Sequence, residues 1–276
     1  MKHDGTIRNE LERYEFLKKL GEGGNGSVHL VQDLYLQRKL AVKMIEHAEI
    51  GFFYKEVDIL KKAGMKLLPI IYDAWIMSDG VGIIVMEYIQ GKNLYEYLQV
   101  YTEIDEACMN TWALELASFL CQLHESNTPM LYRDLNPENI MICENMELRI
   151  VDFGTAVCLE QGTHKDGMRV GTKGFAAPEQ WNGGWSDARS DIYSLGAILK
   201  LLWEHCSYQS MEMEKIIRKC MQELPEHRYR TAESLLRDIR VYPKKEQRRL
   251  LWERTVYALR IFFLLTVVYC LFFYKS

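Results

Sequence analysis

The string Tyr132-Arg133-Asp134-Leu135-Asn136-Pro137-Glu138-Asn139, followed further on by Asp152-Phe153-Gly154, constrains this chain more than any other feature. It sets a carboxylate and an amide in one loop, and a second carboxylate at the end of a following strand. Asp134 can accept a proton from a hydroxyl nucleophile. Asn139 and Asp152 offer hard oxygen ligands, which suit Mg²⁺ because that ion keeps phosphates among its other partners. A fold carrying this set must bring the loop and the strand end together over a phosphate.

A glycine string near the start supplies a second phosphate-handling part. Leu20-Gly21-Glu22-Gly23-Gly24-Asn25-Gly26-Ser27-Val28 lets the backbone approach a ligand with no side chain in the way. Glycines alone also suit a plain strand–turn–strand. A dinucleotide fingerprint needs a helix after the glycines, but Val28-His29-Leu30-Val31 reads as a strand.

Periodicity predicts strands over 16–20, 27–32 and 39–45, then a helix over 53–62. A hairpin follows, 70–77 with 81–88, turning at Ser78-Asp79-Gly80. After Gly91 the pattern becomes helical, over 93–99, 107–124 and 211–222. The expected fold class is α+β, a strand-rich small lobe followed by a helical large lobe. The expected domains are a polar lead-in (1–13), the small lobe (14–88), the large lobe (89–242), a basic linker from Pro243 to 254, and an apolar helix (255–274). The 276 residues suffice for two lobes with proper cores.

These motifs, in this order, resemble those of protein kinases: H-R-D-L-x-x-x-N, D-F-G, and G-x-G-x-x-G-x-V. Ala41-Val42-Lys43 is similar to the third-strand V-A-I-K. Ala177-Pro178-Glu179, preceded by Gly171-Thr172-Lys173-Gly174-Phe175, is similar to the end of the activation segment. Pro225-Glu226-His227-Arg228 is similar to the late motif whose Arg pairs with that Glu. D-L-x-P-E-N stands closer to Ser/Thr kinases than to tyrosine kinases, and the chain resembles a small bacterial Ser/Thr kinase. The likeness covers 14–241.

The resemblance implies ATP with Mg²⁺ or Mn²⁺ as cofactors, and protein hydroxyls as substrates. It implies Asp134 as the base, Asn139 and Asp152 as metal ligands, and Lys43 on the α/β phosphates, held by Glu56. Gly21, Glu22, Gly23, Gly24 and Gly26 would cover the phosphates. Glu87 and Ile89 would pair with adenine through their backbone, between Val28, Ala41 and Met141. Asp191 would brace the catalytic loop, and Glu179 would pair with Arg228.

Asn136 departs from the family, which carries Lys there against the γ-phosphate. A cation about 4 Å away at an effective dielectric near 20 is worth on the order of 4 kcal/mol. Asn returns about 1 kcal/mol as a neutral hydrogen bond. A slow enzyme is expected, unless Arg133 or Lys173 compensates. The alternative is an ATP-binding pseudokinase scaffold. A small-molecule phosphotransferase is disfavoured by the Ala-Pro-Glu segment. Tyr132 stands where the family has His, and an aromatic ring can fill that space. The stretch from Asp191 to Arg228 leaves little room for one further large-lobe helix. Thr155 and Thr163 are the candidate activation-segment phosphosites, whereas Thr172 is expected to contact Asp134.

Residues 255–274 are apolar but for Arg260, and roughly 20 residues at about 1.5 Å each match a bilayer's hydrocarbon of about 30 Å. Lys244, Lys245, Arg248, Arg249 and Arg254 precede them, which puts the kinase lobes on the cytoplasmic side. The expectation is a single-pass anchor in the lipid bilayer, with Lys275 and Ser276 beyond it and a partner membrane protein or self-association as a source of signal. A buried or in-plane helix is the other reading of this run. The net charge of −4 gives no reason to expect nucleic acid. Seven scattered cysteines read as free thiols, and the histidines show no zinc spacing.

Overall fold

The computed structural model describes residues 10–23, 26–46, 53–54, 57, 65–126, 128–159, 163–165 and 170–273. The small lobe is one five-stranded sheet in the order β1-β2-β3-β5-β4. Its strands are β1 (Tyr14–Gly23), β2 (Gly26–Asp33), β3 (Arg38–Ile45), β4 (Ile71–Ile76) and β5 (Gly82–Glu87). All its pairings are antiparallel. Val31, Leu40, Val42, Ile83 and Val85 alternate onto one face and form a small core with Tyr14. Phe53, Tyr54 and Val57 are helical, and Phe53 and Val57 pack with Ile84 in a second cluster. Gly24, Asn25 and Glu56 lie outside the described residues.

β1 and β2 meet at Gly26, whose φ is +124°. A Cβ there would lie 1.9 Å from the Met44 carbonyl oxygen, so the close approach of β2 to β3 requires glycine.

The large lobe begins with β6 (Gly91–Asn93), α1 (Leu94–Val100) and α2 (Glu106–His124). Asn93 caps α1 through a capping box with Glu96, and Asp105 caps α2 through the Cys108 N–H. Short strands follow: β7 (Met130–Leu131), β8 (Ile140–Cys143), β9 (Leu148–Ile150) and β10 (Val157–Cys158). The β6-β8-β9 sheet and the β7–β10 pair bracket the loop carrying Asp134 and the turn carrying Asp152. Beyond them come α3 (Pro178–Trp181), α4 (Ala188–Glu204), α5 (Met211–Cys220) and α6 (Ala232–Phe273). One core joins α1, α2, α4, α5 and the start of α6, with Trp112, Phe119, Leu195 and Leu235 at its centre. Residues 205–210 lead straight from α4 to α5, so the large lobe is as short there as the sequence predicts.

The stretch after Pro243 differs from the expected linker. Pro243 lies inside α6, which runs on as helix through 243–254. Tertiary contacts override the local break. Tyr242 is buried, and Glu246 is 3% exposed and accepts hydrogen bonds from Tyr208 and from the Glu212 N–H at the start of α5. Among the described residues, no helix is long and apolar enough to cross a membrane. The apolar run of 255–274 continues past residue 267, where the described side chains end. The six cysteines whose side chains are described are free thiols.

Candidate active site

The catalytic loop is held from below by Asp191 near the start of α4. This carboxylate is fully buried and accepts the backbone N–H groups of Tyr132 (2.9 Å) and Arg133 (2.8 Å). His124 at the end of α2 meets the same carboxylate at 2.8 Å. Arg133 takes a left-handed φ of +68°, a strained turn that these bonds sustain. Tyr132 is fully buried, edge-on to Phe153 and Phe119, and its hydroxyl donates to the Val151 carbonyl at 2.7 Å. The ring fills the expected space, and its hydroxyl also ties the loop to the residue before Asp152.

Above this base, four side chains close on one another. Thr172 donates to Asp134 Oδ1 at 2.8 Å. Asn136 Nδ2 donates to Thr172 Oγ1 (3.0 Å) and to the Asp134 carbonyl (3.1 Å), while its Oδ1 accepts the N–H groups of Glu138 and Asn139. Asn139 Nδ2 donates to the Asp134 carbonyl at 3.0 Å and its carboxylate at 3.3 Å. Burial pushes the Asp134 carboxyl above its ordinary range, with Asp152 adding to the effect and the bonds from Thr172, Asn136 and Asn139 opposing it. A raised value suits a general base.

Asp152 also adopts a left-handed φ, +65°. Its Oδ1 accepts Lys43 Nζ at 2.9 Å and the Gly154 N–H at 3.0 Å. Burial pushes this carboxyl up, but Lys43 outweighs it and holds it below the usual carboxylate range. Lys43 is 6% exposed on β3, so the pair spans the two lobes. The Asn139 amide, bound through its nitrogen, leaves its oxygen for a cation, and the Asp152 side chain is 51% exposed. Two hard oxygen donors facing a cleft fit Mg²⁺ held jointly with phosphates. Among the described residues, no group of three His, Cys, Asp or Glu side chains could hold a metal unaided.

The nucleotide-facing residues predicted from sequence fall on the small-lobe sheet and its rim. Gly21 pairs with Val28, which pairs in turn with Lys43, and Ala41 lies opposite Met86. A Cβ on Gly21 or Gly23 would meet nothing within 4 Å, so the fold itself does not demand glycine at either position. Exposed Glu22 pairs with Lys19. Glu87 ends β5, Ile89 is buried beyond it, and Met141 lies on β8 opposite Arg149.

In the activation segment, Thr155 Oγ1 donates to the Tyr132 carbonyl and the Thr155 carbonyl accepts from Arg133 Nε at 2.6 Å, whereas Thr163 is exposed. Arg133 is thus turned toward this segment, and Lys173 is exposed. Glu179 meets Arg228 through two bonds, 2.7 and 2.9 Å, and also accepts Ser190. Gly171 has φ +91°, and a Cβ there would lie 2.9 Å from the Arg133 carbonyl. Gln180, which the sequence reading missed, is fully buried, donates to that carbonyl and accepts the Ala177 N–H. Its place directly after Ala-Pro-Glu is the only signal the sequence offered.

The sequence is similar to those of known proteins. Residues 14–234 match the model of the family described as "Protein kinase domain". The chain is 27% identical over 263 residues to serine/threonine-protein kinase PrkC of Bacillus subtilis, covering 83% of this chain and 40% of that protein. It is 28% identical over 270 residues to serine/threonine-protein kinase PknB of Mycobacterium leprae, covering 83% and 42%. Serine/threonine-protein kinase D of Synechocystis sp. is 28% identical over 266 residues, covering 82% and 51%. The chain thus spans about half or less of the length of these relatives. With the lobes, the catalytic loop and the match all over the same residues, the chain belongs to the protein kinase domain family.

Proposed function

We propose that this chain is an ATP-dependent Ser/Thr protein kinase. The observation that carries the reading is the closed set of Thr172, Asn136 and Asn139 on Asp134, facing the Lys43–Asp152 pair across the cleft. Bound Mg²⁺ or Mn²⁺ would neutralise phosphate charge, with Asn139 and Asp152 as its protein ligands. Lys43 sits where it can hold the α/β phosphates. Asp134 is placed to orient a substrate hydroxyl and take its proton, and its raised affinity for protons favours that step. Thr172 keeps the carboxylate in one rotamer while a protein substrate docks. With Lys43, Asp134, Asn139 and Asp152 all present, transfer is favoured over a scaffold that only binds ATP.

The same proposal places the kinase on the cytoplasmic face of a membrane. Its support is the far end of α6, where Phe262 and Phe263 are each 70% exposed and Leu264 is 64% exposed. The basic residues before it suit that side of the bilayer. Carbonate extraction of membranes should leave the full chain behind; release into the supernatant would count against the anchor.

Incubating the full chain with Mg²⁺ and γ-labelled ATP, with a generic basic substrate protein, tests the activity. Label should appear on Ser or Thr and vanish in Asp134→Asn. A folded chain that binds ATP yet transfers nothing would overturn the enzyme reading.

A further inference from the structure

We propose that Arg149 is a positioning residue for the nucleotide, tying the segment that grips adenine to the strand that delivers Asp152. This rests on the kinase reading above. Arg149 lies on β9, just ahead of Asp152. Its Nη2 donates to Glu87 Oε1 at 2.6 Å, and its Nη1 donates to the Lys66 and Leu68 carbonyls, each at 3.0 Å. Glu87 is held from its other side as well. Its Oε2 accepts the Ile70 N–H at 3.2 Å, and its own N–H donates to the Ile70 carbonyl at 2.8 Å. Next along β9, the Ile150 N–H donates to the Leu67 carbonyl at 2.7 Å.

One guanidinium from the large lobe therefore holds the stretch that enters β4 and the residue that ends β5. The two side chains are 19% and 25% exposed, so the pair is better shielded than a surface ion pair. The task needs Arg. A planar fork serves three acceptors at once, and a lysine ammonium on a flexible stem does not present that geometry. The kinase resemblance implies that the Glu87 backbone pairs with adenine. Pinning its carboxylate on two sides removes the freedom of that backbone to swing. The strand that provides the pin leads into Asp152, which meets Lys43 at the phosphate end. Arg149 thus sets the spacing between two grips on one ligand, an entropic saving made before the ligand arrives.

The test compares the full chain with Arg149→Ala, Arg149→Lys, Glu87→Gln and the Arg149→Ala/Glu87→Gln double variant. It measures the Kd of ATP–Mg²⁺ by calorimetry, KM and kcat with a generic basic substrate protein, and thermal unfolding. Arg149→Ala should raise Kd and KM for ATP about tenfold, the scale of a lost charge-assisted hydrogen bond. Its kcat should stay within about twofold, and KM for the protein substrate should not move. Arg149→Lys should recover part of the loss, and the double variant should be no worse than Arg149→Ala. If Arg149→Ala does not fold, Arg149→Lys and Glu87→Gln carry the same comparison. Unchanged Kd with only a lower Tm would make the cluster purely structural and overturn the proposal. Unchanged Kd with altered kcat would place the effect on lobe motion and overturn it too. A wild-type chain that binds ATP without transferring phosphate would sink the kinase reading, yet the Kd series would still decide this one. A chain that binds no ATP overturns both.

Discussion

Asn136 occupies the position where a cation would shield the γ-phosphate, and instead its hydrogen-bonding capacity is taken up by the loop and by Thr172. It is 3% exposed, it supports Thr172, and its Oδ1 accepts the Glu138 N–H and shares the Asn139 N–H with its own backbone carbonyl. Two effects of Asn136→Lys therefore separate. A cation near the γ-phosphate should raise kcat about tenfold, a fraction of the roughly 4 kcal/mol Coulomb term. Loss of the side-chain acceptor for the Glu138 N–H should cost about 1–3 kcal/mol of stability. Kinase assays read beside thermal unfolding should show faster turnover in a less stable protein, and an unchanged kcat would show that the shielding argument is wrong. Asp134, Asn139 and Asp152 were legible because their spacing is local and chemically specific. Asn136 was legible only as a departure, since Thr172, the partner that ties it to the activation segment, lies far along the chain.

The glycine strand–turn–strand shows how one motif mixes two demands. Gly26 is required by the sheet, because a Cβ would collide with the Met44 carbonyl. A Cβ on Gly21 or Gly23 would meet no described atom within 4 Å, so the sheet leaves room for a side chain at either position. Gly26→Ala should therefore lower stability by several kcal/mol, through strain and a broken β2–β3 ladder. Gly23→Ala should leave Tm within about 1 °C of wild type while raising KM for ATP. Equal Tm losses in both variants would contradict this division. The described strands and large-lobe helices followed hydrophobic period and cap residues and fall within a few positions of the expected bounds, whereas most of the helix expected over 53–62 lies outside the described residues. The exception is the stretch around Pro243. A local breaker signal was overridden there by burial of Tyr242 and by Glu246 docking on the start of α5, contacts that no sequence window contains.

Across the whole molecule, the carboxylates of buried Glu246 and half-buried Glu179 join distant segments, and they make stability depend on acid. Burial pushes the Glu246 carboxyl up, but bonds from Arg249, Tyr208 and the Glu212 N–H outweigh it and hold it down at about 2. Glu179 is lowered in the same sense, with Arg228 and Ser190 overcoming burial. A carboxylate lowered by folding binds fewer protons in the native state than in the unfolded one. Its contribution is complete above the ordinary glutamate value and is lost as pH falls through the folded value. Glu246 alone supplies up to about 3 kcal/mol between those limits. Denaturant unfolding followed from pH 7 down to 3 should show falling stability, and Glu246→Gln should start lower and fall less steeply. Parallel curves for the two proteins would exclude Glu246 as a source of the acid sensitivity. Taken alone, the sequence determined the order of the lobes, the catalytic and phosphate-handling motifs and the kinase family, because each is carried by short-range spacing. The tertiary structure alone decided that Lys43 meets Asp152, that Arg149 grips Glu87, and that Glu246 docks a continuous α6. Those pairs lie far apart along the chain, and only the folded path sets a donor opposite its acceptor.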